Sequence, residues 1–144
     1  MFSLIITIIS IALVAALAVA TIYYGGSAFT AGSAKAQLAT AVSQAQQIAG
    51  AVTLAVSDGN VTVPTATALV STLTALTGGT TNYLTTIPTA PGGGAWSIGP
   101  NAGGQFALTT TVPASVCTAY NNNPNLQNTQ YTCALGGTTF TYND

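Results

Sequence analysis

The first 24 residues, MFSLIITIISIALVAALAVATIYY (Met1–Tyr24), contain no charged side chain, and only Ser3, Thr7, Ser10 and Thr21 interrupt the apolar run. As an α-helix the run would be about 36 Å long, which exceeds the roughly 30 Å hydrocarbon layer of a bilayer. Hydroxyl side chains bond to a carbonyl one turn back, so they do not exclude such a helix from lipid. A signal anchor or an uncleaved signal peptide is a simpler interpretation. Against it, no Lys or Arg precedes the run and no Ala-x-Ala site directly follows it.

Two adjacent glycines, Gly25 and Gly26, follow the apolar run. Each weakens a helix by about 1 kcal/mol relative to alanine, so the pair predicts a bend or a locally melted stretch that acts as a flexible joint. Glycines that allow close helix packing are the alternative. A helical pattern resumes over Ala28–Val56 and ends at the turn signal Asp58-Gly59. Its apolar stripe consists of Leu38, Val42, Ala45, Ala49 and Val52.

The remainder of the chain predicts a small mixed head. A short helix after Pro64 would place Leu69, Val70, Leu73 and Leu76 on one face and end at Gly78-Gly79. Four segments predict strands, the last two as a hairpin around Gly136-Gly137: Ala95–Ile98, Gln105–Val112, Tyr131–Ala134 and Thr138–Tyr142. Between them, Pro113 opens a short helix through Ala119.

The chain has two cysteines, Cys117 and Cys133, and an even number in an exported chain predicts one disulfide. The predicted fold class is therefore α+β. A long N-terminal helix, apolar in its first half and amphipathic in its second, packs on a small antiparallel-sheet head with a C-terminal disulfide loop. Residues 1–26 form the membrane-spanning helix, and residues 27–144 form the head together with the amphipathic half of the helix.

Charge is almost absent from this sequence: only Lys35, Asp58 and Asp144 carry it, and there is no histidine. A Ser-His-Asp triad, a His-containing metal site and a His general base are therefore excluded. One basic residue cannot build a phosphate-neutralising surface, so no direct nucleic-acid binding by one subunit is expected. We expect a chain that is not an enzyme and has no cofactor or metal. A near-neutral surface suits self-association, because copies repel each other little.

The order of these features resembles that of bacterial type IV pilins. The shared features are the apolar helix, the Ala- and Gln-rich helix after Gly25-Gly26, and a small sheet-bearing head with a C-terminal cysteine pair. The segment Val112–Cys117, the later Tyr131-Thr132-Cys133 and the closing strand are similar to the head of the type IVb and conjugative thin-pilus branch. Tyr83–Pro88 is also similar to a segment of pilins and pseudopilins. The resemblance covers the whole chain in its order of elements.

This resemblance implies a structural subunit that polymerises through its N-terminal helix into an extracellular filament for adhesion, motility, DNA uptake or conjugation. The implied location is the inner membrane before assembly and a cell-surface pilus afterwards. The implied partners are identical subunits in a helical homopolymer, the prepilin peptidase and the pilus assembly machinery. The residues implied to form the filament core are Met1, Phe2, Leu4, Ile5, Ile8, Ile9, Ala12, Leu13, Ala16 and Leu17.

The sequence departs from the pilin pattern in two places. Pilins are made with a short basic leader, and without one here Met1 is interpreted as the processed N-terminus. Where the family usually has a Glu that pairs with a neighbour's terminal amine, this chain has Ile5, and no acidic residue precedes Asp58. A divergent major pilin, a tip or minor subunit and an archaeal-type pilin all stay open, although the amphipathic helix and the cysteine pair favour the bacterial type. A pseudopilin of a type II secretion-like machine and a single-pass anchored binding domain are the alternatives of a different class.

Overall fold

A computed structural model describes residues 2–60, 71–78, 81–101, 103, 105–128 and 130–144. It has the predicted α+β fold, in which a long N-terminal helix accompanies a four-stranded antiparallel sheet. The elements are α1 (Phe2–Ser57), α2 (Ser71–Gly78), β1 (Ser97–Pro100), β2 (Phe106–Thr111), α3 (Ala114–Asn121), β3 (Tyr131–Cys133) and β4 (Thr139–Asn143). Contacts divide the chain into two compact units, Met1–Ser33 and Ala34–Asp144. The predicted boundary between membrane-spanning helix and head, after Gly26, stays a prediction.

Helix α1 continues through Gly25 and Gly26 without interruption. The locally melted stretch expected at this pair is therefore not seen in the structure. The physical reason is cooperativity: ending the helix here would require a second, costly nucleation a few residues later, whereas two glycines cost only about 1 kcal/mol each. Whether the pair acts as a flexible joint stays a prediction.

The second half of α1 buries one stripe of side chains in the head. The buried positions follow each other at spacings of four and three residues: Ala34, Leu38, Ala41, Ala45, Ile48, Val52 and Ala55. This confirms the predicted stripe, of which Val42 alone is only partly buried. Most of the buried residues of α1 are alanines.

A glycine-dependent cap ends α1. The amide of Asn60 donates to the Ala55 carbonyl and the amide of Gly59 donates to the Val56 carbonyl, both at 3.0 Å. Gly59 has a φ of 72°, which is the left-handed conformation that this cap requires. Asp58 is thus the last residue of the helical hydrogen-bonding pattern, because its amide still donates to the Leu54 carbonyl.

The sheet has the strand order β1-β2-β4-β3, and all neighbouring strands are antiparallel. Large side chains from successive strands lie on the same buried face, among them Leu108, Phe140, Tyr142 and Tyr131. Phe140 is central to this face, with ring-centroid distances of 6.4 Å to Trp96 and 6.0 Å to Tyr131. One covered face and one solvated face explain the alternation of aromatic and threonine residues in β4.

The structure confirms the predicted hairpin, since β3 and β4 pair with Cys133 opposite Phe140. The first strand was placed wrongly: β1 begins at Ser97 and extends through Pro100, rather than covering Ala95–Ile98. Proline is tolerated in β1 because this strand lies at the edge of the sheet, where one side needs no amide donor. The predicted shared face of this helix includes Leu73 and Leu76, which are both buried in α2, while Leu69 and Val70 lie outside the described residues.

The predicted disulfide joins Cys117 on α3 to Cys133 on β3. Asn121, one turn after Cys117, donates from Nδ2 to the carbonyl oxygens of both cysteines, at 2.8 Å and 3.1 Å. The Tyr120 hydroxyl donates to the Tyr131 carbonyl on the same strand. The disulfide and the hydrogen bonds to the Cys133 and Tyr131 carbonyls therefore fix helix α3 to β3.

Candidate assembly interface

The first unit of the chain has no buried side chain in the part that the structure describes: every residue from Phe2 to Ser33 is exposed. The exposed fraction of its large apolar side chains ranges from 53% at Ile5 to 84% at Phe2. The helix is long and apolar enough to cross a membrane. Soluble monomers rarely expose so large an apolar surface, because it is stable only against lipid or another protein.

Several hydroxyl side chains in this unit hydrogen-bond to the helix itself. Thr7 Oγ1 donates to the Ser3 carbonyl at 2.6 Å, and Ser10 Oγ donates to the Ile6 carbonyl at 2.8 Å. Thr21 Oγ1 donates to the Ala18 carbonyl at 2.9 Å. These bonds confirm the backbone pairing expected from the sequence. They remove most of the cost of placing a hydroxyl donor in an apolar environment.

All described residues that the resemblance implies as a filament core lie on this exposed helix, and Met1 lies outside the described residues. At 3.6 residues per turn they cover about two thirds of the helix circumference: Phe2, Leu4, Ile5, Ile8, Ile9, Ala12, Leu13, Ala16 and Leu17. The remaining face carries Ile11, Val14 and Ala18 among the hydroxyl side chains. A helix that is apolar all round needs apolar neighbours on all sides. Such neighbours are supplied by a bilayer or by the centre of a helical bundle.

Small side chains leave a groove on one part of this helix surface. Ser10, Ala15 and Ala18 line one open groove of about 390 Å³ together with Ile11 and Val14. Small residues allow helices to approach closely in an apolar environment, and this approach increases dispersion contacts. The helix surface therefore suits helix–helix packing as well as contact with lipid.

Aromatic rings mark the end of the apolar run. Tyr23 and Tyr24 are exposed, with ring centroids 5.4 Å apart in an edge-to-face arrangement. Tyrosines in this position are typical of the boundary between hydrocarbon and water. Beyond it, Gly25 and Gly26 are helical, and a methyl group added at either would meet no atom within 4 Å.

The sequence did not predict a polar cluster at the end of α1. The Tyr83 hydroxyl donates to Asp58 Oδ2 at 2.8 Å, and Asn60 Nδ2 donates to the same tyrosine oxygen at 2.6 Å. Tyr83 thus orients one of the two acidic side chains of the molecule. Tyr83 lies 25 residues after Asp58, so no local pattern could have indicated the contact.

Two exposed apolar side chains in the head were also missed: Leu54 on α1 is 59% exposed, and Leu135 at the tip of the β3–β4 hairpin is 81% exposed. A helical projection could have found Leu54, because it lies off the buried stripe. No group of three or more His, Cys, Asp or Glu residues that could hold a metal ion occurs in the described parts of the chain.

No protein-family model, curated protein or solved structure matches this chain.

Proposed function

We propose that this chain is a pilin, a structural subunit that polymerises through its apolar N-terminal helix into an extracellular filament of the type IV pilus kind. Before assembly the helix is held in the inner membrane, and in the filament it is surrounded by the same helix of other copies. The observation that carries the proposal is the full exposure of residues 2–33 on one continuous helix.

The energetics of this helix favour self-assembly over a free soluble state. Burying one large aliphatic side chain stabilises a protein by about 1.5–3 kcal/mol, and the helix exposes many of them in its first 24 residues. A copy that leaves the bilayer must replace its lipid contacts with equally apolar ones. The helices of other copies provide such contacts and bring no charged side chain with them, because none precedes Lys35.

The head supports the same proposal through its nearly uncharged surface. The whole chain contains one Lys, two Asp and no other charged side chain, so neighbouring heads repel each other little. The disulfide between Cys117 and Cys133 strengthens a small head that must persist outside the cell.

A substitution inside the apolar helix tests the proposal. Ala16→Asp places a carboxylate in the proposed filament core, where its desolvation is very costly, and we expect it to abolish filaments while the head stays folded. Ala114→Asp is the matched control: the residue is exposed at the first position of α3, where an acidic side chain interacts favourably with the helix dipole. Cells producing the control variant should still form filaments.

A second experiment, on the unchanged chain, separates the proposal from its alternatives. Surface material sheared from cells producing the unchanged chain is examined by negative-stain microscopy, and its main protein is identified by mass spectrometry. Abundant filaments made of this chain support a major pilin, and a trace amount indicates a minor pilin or a pseudopilin. Complete absence of the chain from filaments would contradict the proposal and favour a single-pass anchored binding domain.

A further inference from the structure

We propose that Lys35 of one subunit forms an ion pair with Asp58 of a neighbouring subunit, and that this pair sets the axial offset between copies at about 34 Å. The inference rests on the proposed filament function and specifies which surface of the partner copy each subunit contacts.

Lys35 cannot reach Asp58 within its own chain. Lys35 is an exposed residue of α1, and Asp58 follows the last helical residue, with its amide still bonded to the Leu54 carbonyl. At about 1.5 Å per residue, the two lie about 34 Å apart along the helix axis. This distance is far beyond the reach of one lysine side chain, so any contact between them joins two copies.

The surroundings of Asp58 favour a cation. The aligned peptide dipoles of α1 place a partial negative charge at its C-terminal end, to which the Asp58 carboxylate adds its own. The last turn of α1 contains no basic residue. Since Lys35 is the only Lys, Arg or His in the sequence, it is the only cationic side chain that another copy can supply.

The geometry of Asp58 is suited to this contact. The Tyr83 hydroxyl donates a hydrogen bond to Asp58 Oδ2 at 2.8 Å, while the Asp58 side chain as a whole remains exposed. Leu54, one turn earlier, is 59% exposed. On the other side of the contact, Lys35 lies beside the exposed alanines Ala36 and Ala39. An exposed leucine beside Asp58 and small neighbours beside Lys35 allow another helix to approach closely at the contact.

The pair is compatible with open-ended assembly. In a filament of parallel helices, which the proposed function requires, each subunit offers Lys35 to one neighbour and Asp58 to another, so the contact is heterologous and repeats along the axis. Copies related in this way have parallel helices, and their axial offset is set by the 23 positions between the two charges.

Charge reversal tests the pair. The full chain is purified in detergent and assembled by detergent removal, and the concentration of unpolymerised subunit is measured after sedimentation. We expect Lys35→Glu and Asp58→Lys each to raise this concentration about tenfold or more, because like charges then meet at the contact. Asp58→Lys should not unfold the head, since a cation at a helix C-terminus is favourable. Combining the two substitutions should restore assembly to within about threefold of the unchanged chain.

Lys35→Glu combined with Asp144→Lys is the matched control and should not restore assembly. Rescue by this combination would overturn the proposal and assign the pair to Asp144. Normal filaments from Lys35→Glu alone would overturn the ion pair but leave the filament function intact. Failure of the unchanged chain to form filaments would overturn both.

Discussion

Gln46 on α1 donates a hydrogen bond from Nε2 to the Tyr131 hydroxyl on β3, over 2.9 Å and across 85 residues of sequence. The contact links the amphipathic part of the helix to the strand that carries Cys133. Tyr131→Phe removes it while leaving the ring and the backbone carbonyl that accepts from Tyr120 in place. We expect the free energy of unfolding of the head to fall by about 1 kcal/mol.

Trp96 is the only tryptophan and is 5% exposed, so its fluorescence reports unfolding of the head in the full chain in detergent. Tyr23→Phe is the control. Because Tyr23 is 79% exposed on the apolar helix, its substitution should leave the stability of the head unchanged. Equal unfolding midpoints for Tyr131→Phe and Tyr23→Phe would show that the Gln46 contact does not stabilise the head.

Two glycines of the head unit should respond oppositely to the same substitution. An added methyl group meets no atom within 4 Å at either Gly50 or Gly59, so only backbone conformation differs. Gly50→Ala removes a glycine from inside α1 and should stabilise the head by up to about 1 kcal/mol. Gly59→Ala forces alanine into a left-handed conformation at φ 72° and should destabilise it by about 1 kcal/mol. Urea unfolding checks both signs, and a stabilising Gly59→Ala would contradict the cap.

Alkaline pH should destabilise the head through its buried tyrosines. Burial, with added effects of Asp144 and Tyr131, raises the pKa of Tyr142 above 10.0, and burial raises the pKa of Tyr120. As the pH rises, these tyrosines lose their protons at a lower pH in the unfolded chain than in the folded head. Their contribution to the stability of the head is therefore fully present below about pH 10 and falls as the pH rises further. We expect Tyr142→Phe to reduce that fall between pH 9 and pH 11, whereas Tyr23→Phe should not. Identical pH profiles for the two variants would refute the assignment.

Loss of the disulfide should be the most destabilising of these changes. The cysteines are 16 residues apart, and closing a loop of this length stabilises a fold by about 3 kcal/mol in the chain-entropy model. Cys117→Ala combined with Cys133→Ala should therefore lower the free energy of unfolding by about that amount. Both cysteines are buried, so dithiothreitol should leave the unchanged protein oxidised until urea opens the head. Rapid reduction without denaturant would contradict this burial.

Much of this fold follows from local patterns. The buried stripe of α1, the pairing of Cys117 with Cys133 and the hairpin at Gly136-Gly137 were predicted because each depends on spacing or composition within a short segment. The break at Gly25-Gly26 was overestimated, because glycine propensity is a local quantity while helix continuation is cooperative. Pro100 was left out of β1 because the sequence does not show which strand is an edge.

The contacts that join distant segments could not be predicted. Gln46 with Tyr131, and Asp58 with Tyr83, depend on how the head packs against α1. Gln46 belongs to a run of glutamines and alanines in which no pattern distinguishes it from Gln47. The exposed surface of the apolar N-terminal helix, in contrast, could be predicted, because its uncharged, mostly apolar composition already indicates a surface that needs apolar neighbours.

A cryo-electron microscopy reconstruction of filaments assembled from the full chain tests the central claim most directly. The proposed function predicts that residues 2–24 of every copy lie inside the filament and contact the same helix of other copies, and that the heads lie outside. Filaments in which these residues are exposed at the surface, or in which the heads alone form the contacts, would contradict it.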